Sequence, residues 1–171
     1  MKILLVADHS SAAAQGRSAV DGLPQVDVLH VSTPKRALAL IDEGEVYDIV
    51  VADNDTHPTG GFALCREVKA RGQMGRDVPP VVLLLARPQD IWLSNWAQAD
   101  AYALKPADPF DLRETIESLV AGSPVPELPG IGGEPTPSLL DPSPAHELAV
   151  ATHSAGRSDE GLPDQLTADT T

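Results

Sequence analysis

The sequence has little cysteine, little basic charge and no long apolar stretch. Cys65 is the only cysteine among 171 residues, so an intrachain disulfide is impossible and nothing indicates secretion. The longest apolar run, residues 81–86, is far shorter than the roughly 20 residues of a membrane-spanning helix. Twelve basic residues against 25 acidic ones give a net charge of −13, which disfavours nucleic acid and anionic membranes as partners. We therefore expect a cytoplasmic protein without direct membrane contact.

Aromatic residues are also scarce, and their distribution is uneven. Only six are present, and four of them lie between positions 92 and 110: Trp92, Trp96, Tyr102 and Phe110. The two tryptophans are four residues apart, so they share one face if the segment is helical. Their indoles either pack into the core or stay exposed as anchors for a protein partner, and the sequence alone leaves both interpretations open.

What the sequence does contain is an alternation of short apolar runs with helical segments. Five runs are predicted as strands: Lys2–Val6, Val26–Val31, Tyr47–Ala52, Val81–Leu85 and Ala101–Leu104. None shows strict polar and apolar alternation, which is typical of strands buried on both faces. Helices are predicted between and after them, over residues 10–20, 34–42, 61–71, 91–97 and from Pro109 to Gly122. The order predicts an α/β fold with a doubly wound, five-stranded parallel sheet.

The composition changes at Ser123. Residues 123–171 hold eight of the sixteen prolines, eight acidic residues and a single basic one, Arg157. Such a segment cannot bury enough apolar surface to order itself. We therefore divide the chain into a domain of residues 1–122 and an acidic, proline-rich tail of residues 123–171, which is disordered alone or docked on a partner.

Two charged residues stand directly after apolar runs. Asp53 follows the third run and Lys105 the fifth, whereas the fourth run ends at Leu85 without a polar group. Open α/β sheets place their chemistry at the carboxyl ends of their strands. Phosphoryl transfer to a carboxylate needs a metal to gather oxygens and a cation to stabilise charge. Asp53 and Lys105, with Asp8 after the first run, therefore indicate a site built for phosphoryl chemistry.

Residues 1–122 resemble the receiver domain of bacterial response regulators. The resemblance is carried by three motifs: Ile3-Leu4-Leu5-Val6-Ala7-Asp8, the stretch Tyr47–Asp53 with Gly61 eight residues after Asp53, and Ala99-Asp100-Ala101-Tyr102-Ala103-Leu104-Lys105-Pro106. The resemblance implies a flavodoxin-like fold.

The same resemblance implies roles for individual residues. Asp53 matches the aspartate that accepts a phosphoryl group from a histidine kinase, and Lys105 matches the lysine that binds the phosphoryl oxygens. Asp8 and Asp53, with the backbone of Asp55, match the ligands of a Mg²⁺ ion. The bond between Lys105 and Pro106 is usually cis in this family.

Two departures from the family pattern concern the ion and the switch. The family usually has a second acidic residue where this chain has Ala7, so Mg²⁺ binding is expected to be weakened. At the end of the fourth strand the family has Thr or Ser, whose hydroxyl bonds the phosphoryl group and draws a switch aromatic inward. This chain has Leu85 there, while Tyr102 occupies the position of the aromatic. We expect a degenerate receiver whose phosphorylation-dependent switch is disabled.

Two functions follow as hypotheses, neither of them enzymatic. In the first, the chain is a stand-alone degenerate receiver that acts as a binding or accessory subunit of a larger assembly. Its partner would contact the face of Trp92, Trp96 and Tyr102 and residues 123–171. In the second, it is a single-domain response regulator phosphorylated on Asp53 by a histidine kinase. The overall layout is also similar to an orphan receiver-like subunit associated with bacterial respiratory NADH:quinone oxidoreductase, which would place the chain peripherally on a membrane-bound complex.

The loop after Asp53 permits two other interpretations. Asp53-Asn54-Asp55-Thr56 resembles the nucleophile motif of haloacid-dehalogenase-like phosphatases, although His57 stands where that motif has Thr or Val. His57 with Asp53 and Asp55 is also a candidate transition-metal cluster, but three ligands in one loop are a weak signal. His9 and His30 have no evident partner in the sequence and are interpreted as surface or core residues.

Overall fold

The structure is a computed structural model that describes residues 1–21, 23 and 25–133. Its strands are β1 (Lys2–Val6), β2 (Asp27–Val31), β3 (Ile49–Asp53), β4 (Val81–Leu85), β5 (Ala101–Leu104) and β6 (Ile131–Gly132). They form one sheet in the order β2-β1-β3-β4-β5-β6. The five longer strands are parallel, and β6 runs antiparallel to β5. The predicted doubly wound parallel sheet is confirmed.

In the part of the chain that the structure describes, five α-helices connect or follow the strands, as predicted. They are α1 (Ser10–Val20), α2 (Pro34–Asp42), α3 (Gly60–Gln73), α4 (Ile91–Trp96) and α5 (Pro109–Val120). The first turn of α2 is capped by Thr33, whose hydroxyl accepts from a backbone N–H at 3.3 Å. The Asp108 carboxylate caps α5 in the same way, at 2.8 Å from the Phe110 nitrogen. Asp90 does not cap α4, because its carboxylate accepts from the Arg87 guanidinium instead, at 2.9 Å.

The sheet separates two apolar layers. On one side, α2, α3 and α4 cover a cluster that includes Val50 and Ala52 of β3. On the other side, α1 and α5 cover a cluster that includes Ile49 and Val51 of the same strand. Side chains of a strand alternate between faces, so a strand covered on both sides must be apolar throughout. This explains the unbroken Val, Ile, Leu and Ala runs, and it leaves the sheet's carboxyl edge as the place where polar groups emerge.

The sixth strand corrects the predicted strand count of five. It lies in the segment assigned to the tail, beyond residue 122, and the backbone N–H of Leu104 donates to the carbonyl of Gly130 at 2.8 Å. Val125 and Ile131 pack against the core beneath α1 and α5, so this part of the segment does bury apolar side chains. Two isolated apolar residues among prolines and glycines give no strand pattern in a sequence.

Residues 134–171 lie outside the described residues, and so do the predictions for most of the tail. Within the described ranges, no helix combines the length and the apolar character needed to cross a membrane.

Candidate functional site

The carboxyl edge of the sheet brings together the charged residues predicted from the sequence. Asp53 is the last residue of β3, which lies between β1 and β4, and Lys105 directly follows β5. The Lys105 ammonium donates to Asp53 Oδ1 at 2.6 Å and to Asp55 Oδ2 at 2.8 Å. Asp53 is 1% exposed, so this is a buried ion pair at the end of two strands. The bond between Lys105 and Pro106 is cis.

Lys105 stays charged in this position. Burial by itself lowers its pKa, but the hydrogen bonds to Asp53 and Asp55 outweigh burial and raise the pKa above its ordinary value. Only one oxygen of the buried carboxylate is used by the lysine. The second, Asp53 Oδ2, is buried and has no hydrogen-bond partner within the part of the chain that the structure describes. A buried acceptor without a donor is costly, and at such an edge it is available for a cation or an incoming group.

Asp8 lies beside this pair and has two histidine neighbours. Its Oδ2 accepts from the backbone N–H of His57 at 2.8 Å and lies 2.9 Å from the Nδ1 of the same residue. Its Oδ1 lies 2.5 Å from His9 Nδ1. The backbone hydrogen bond from His57, with the two rings, lowers the pKa of Asp8 to about 2. The Asp8 carboxylate is therefore ionised at neutral pH.

The structure gathers a group of candidate metal ligands that shares Asp8 and Asp53 with the set predicted from the sequence. Ligand atoms of Asp8, His9 and Asp53 lie within 4.8 Å of one another. His9, interpreted from the sequence as a residue without a partner, belongs to this group, and its position next to Asp8 in the chain was the available signal. The proposed cluster of His57, Asp53 and Asp55 is not gathered, because His57 binds Asp8 and Asp55 binds Lys105.

The position of the expected switch hydroxyl is apolar. Leu85, the last residue of β4, is fully buried and packs in the cluster beneath α3 and α4. Tyr102 lies at the margin of that cluster and is only half-buried. Its hydroxyl end lies close to Gly132 of β6. A Cβ atom built on this glycine would be only 2.6 Å from the Tyr102 oxygen. Leu85 has no hydroxyl, and the Tyr102 hydroxyl lies against β6, so neither residue supplies a hydroxyl for a phosphoryl group on Asp53.

The two tryptophans of α4 are exposed, which settles the alternative that the sequence left open. Trp92 is 64% exposed and Trp96 is 59% exposed. The guanidinium of Arg66, on α3, lies 3.9 Å from the centre of the Trp96 ring. Phe110, at the start of α5, is also exposed. Tyr102 differs from these three, since its ring is partly covered.

Comparison with known proteins identifies the fold. No family model matches the chain. An uncharacterised response regulatory protein of Mycobacterium tuberculosis is 29% identical over 125 residues, which cover 70% of this chain and 91% of the relative. A LuxR-family two-component response regulator from Aurantimonas is 24% identical with a TM-score of 0.61, covering 72% of this chain and 86% of that one. A CheY-like receiver domain protein from Methanospirillum hungatei is also 24% identical, with a TM-score of 0.58 over 71% and 94% of the two chains. The chain has the fold of receiver domains and is similar in sequence to a response regulatory protein.

This assignment confirms the predicted response-regulator resemblance and the flavodoxin-like fold. None of the relatives above is named as a subunit of a respiratory complex, so an association with NADH:quinone oxidoreductase has no support from them. None is named as a haloacid-dehalogenase-like phosphatase either. Receiver domains carry a Mg²⁺ ion at an acidic pocket, and this chain offers the oxygens of Asp8 and Asp53 at the corresponding edge.

Proposed function

We propose that this receiver domain is a protein-binding accessory subunit in which phosphorylation of Asp53 does not drive a switch. The observation that carries the proposal is the fully buried Leu85 at the end of β4. A phosphoryl group on Asp53 would place charged oxygens at the end of the neighbouring strand, where leucine donates no hydrogen bond. An unsatisfied charged group of this kind costs about 1–3 kcal/mol or more.

A switch also needs a contact that differs between two states. A ligand shifts a conformational equilibrium only by its differential interaction with the two conformations. The Leu85 side chain cannot form such a contact, and Tyr102 is already held against β6 by its approach to Gly132. The proposed outcome of phosphorylation is therefore a modified Asp53 with little displacement of β5 and its neighbours.

The proposed partner surface is the exposed face of α4. Trp92 and Trp96 present two indoles one helical turn apart, and tryptophan and arginine are the residue types that dominate binding hot spots. The stack of Arg66 on Trp96 holds one indole in a defined orientation before a partner arrives, which reduces the ordering cost of binding. No enzymatic activity is part of this proposal.

The partner surface is tested by purification of the tagged full chain from its own cell. We expect a stoichiometric protein partner that is lost from the W92A/W96A variant. The matched control is V46A, because Val46 is an apolar residue that is more exposed than either tryptophan and lies outside α4. Recovery of the partner with the tryptophan variant, or recovery of none at all, would refute the proposed surface. A deletion that tests the predicted tail should begin after Gly133, since β6 belongs to the sheet.

A second candidate function is a phosphorylatable single-domain response regulator. It is favoured by Asp53 Oδ2, which has no hydrogen-bond partner among the described residues, and by the retained Lys105 ammonium 2.6 Å from the other oxygen. The test is incubation of the full chain with a small phosphodonor and Mg²⁺, followed by mass spectrometry and amide hydrogen exchange. Labelling that is lost in D53N and that alters exchange in β5 and α4 supports this function. Labelling without an exchange change supports the accessory subunit.

A further inference from the structure

The pocket at the carboxyl edge has nitrogen donors that the receiver's Mg²⁺ site does not require. His9 Nδ1 lies 2.5 Å from one oxygen of Asp8, and His57 Nδ1 lies 2.9 Å from the other. The two imidazoles thus flank a single carboxylate, with their ring centres 6.2 Å apart. Mg²⁺ favours oxygen ligands and retains several waters, whereas imidazole is a typical ligand of zinc and its first-row neighbours.

A buried oxygen provides independent evidence for a cation in this pocket. Asp53 is 1% exposed, its Oδ1 is bonded to Lys105, and its Oδ2 has no hydrogen-bond partner among the described residues. An Asp53 carboxylate oxygen lies within 4.8 Å of ligand atoms of Asp8 and His9. The buried Asp53 carboxylate, with one oxygen unused among the described residues, therefore lies beside an imidazole and an ionised carboxylate. Ala7 supplies no further carboxylate of the kind that would favour Mg²⁺.

We propose that Asp8, His9 and Asp53 bind a first-row transition-metal dication, such as Zn²⁺ or Co²⁺, in preference to Mg²⁺. Three protein ligands with the remaining positions open to water are a common arrangement for zinc. His57 acts as a positioning residue, because its backbone N–H and its ring both hold Asp8 Oδ2. Such outer contacts fix the orientation of a ligating carboxylate. All three proposed ligands lie outside α4.

The test uses the untruncated protein, stripped of metal with a chelator. Co²⁺ is titrated and followed by its visible absorption, and Zn²⁺ and Mg²⁺ are titrated by calorimetry. We expect one equivalent of Co²⁺ or Zn²⁺ per chain, and H9Q should weaken both by about tenfold or more. The same variant should leave the weaker Mg²⁺ affinity within about twofold, because Mg²⁺ does not depend on the imidazole. H57Q should weaken Co²⁺ binding less than H9Q does.

A preference for transition metals alone would not decide the question, since most sites with nitrogen and oxygen donors bind them more tightly than Mg²⁺. The decisive comparison is between the metals in H9Q. An unchanged Co²⁺ affinity, or an equal loss for Co²⁺ and Mg²⁺, would refute the proposal. The control is H146Q/H153Q, which removes the two histidines beyond residue 133. Loss of Co²⁺ binding in that control would also refute it.

Two further measurements separate folding and partner binding from metal binding. His9 is largely exposed, so H9Q should keep the thermal midpoint of the wild-type protein. If the thermal midpoint of H9Q is lower than that of the wild type, D53N serves as a second variant, because the amide removes the charge of the buried ligand without changing its shape. D53N is expected to weaken Co²⁺ binding by at least as much as H9Q, and an unchanged affinity would overturn the assignment. W92A/W96A should bind Co²⁺ normally, so loss of the partner and loss of the metal are distinguishable.

Discussion

Replacing Lys105 by methionine should destabilise the domain more than replacing Asp53 by asparagine. In K105M the Asp53 carboxylate, 1% exposed, loses its ammonium partner at 2.6 Å and stays buried. Removal of one partner from a buried ion pair costs about 3–5 kcal/mol, because the other charge is left uncompensated. In D53N the lysine keeps Asp55 at 2.8 Å, a residue that is partly open to solvent. The expected cost of D53N is therefore smaller, about 1–2 kcal/mol.

The difference is measured by equilibrium urea unfolding at pH 7 with a chelator present, from shifts in midpoint at constant slope. The double variant D53N/K105M should cost less than the sum of the single variants by about 1 kcal/mol or more, because the second substitution removes the stranded charge. The matched control is K2M, which breaks the exposed pair between Lys2 and Glu45 and should have a much smaller effect. A loss in D53N as large as that in K105M, or strict additivity, would refute the reasoning.

Three other outcomes follow from named contacts. The hydrogen bond from the Arg71 guanidinium lowers the pKa of the Asp42 carboxyl to about 2. The stability that this ion pair contributes is therefore present above the unfolded-state pKa of Asp42, near 4, and is lost as the pH falls towards 2. D42N should flatten the stability curve over that window in acid titrations. In G133V the new side chain would overlap the Asp100 carbonyl oxygen and release β6 from the sheet. The Leu104 amide, which donates to Gly130, should then exchange hydrogen at least about tenfold faster, while amides of the other strands are unaffected. Burial raises the pKa of Cys65 to about 12, so a thiol reagent at pH 8 should label the native protein only after denaturant is added.

Most of the fold was predictable because strands buried on both faces are apolar throughout. The run Val81–Leu85 matches β4 residue for residue, and Ala101–Leu104 matches β5. The strand β6 was not predictable, because its pairing depends on β5 being available at the sheet edge rather than on any pattern in Ile131 and Gly132. Local composition describes the segment after residue 122 as a tail, whereas tertiary contacts of Val125 and Ile131 hold its first part to the domain.

The site was predictable to the extent that its residues follow strands. Asp53 and Lys105 meet because the parallel strands β3 and β5, with β4 between them, end at one edge of the sheet, and this placement follows from the order of the elements alone. The histidine contacts do not follow from the order of elements. Whether His9 and His57 turn towards Asp8 depends on the backbone path of two loops, which residue type and spacing do not determine.

The buried pair of Asp53 and Lys105 has a structural reason to exist apart from phosphorylation. Once both charges lie at the end of the sheet, loss of Lys105 leaves the buried Asp53 carboxylate without its ammonium partner, so substitution of the lysine is costly whether or not Asp53 is ever phosphorylated. A leucine at the end of β4 carries no such constraint, because its apolar side chain fills the core whether or not a phosphoryl group ever forms nearby. Leu85 is therefore the more informative residue about function. L85T leaves a cavity in the core and should lower the free energy of unfolding by about 2–4 kcal/mol. If phosphorylation changes hydrogen exchange in this less stable variant, Leu85 is identified as the residue that blocks the switch.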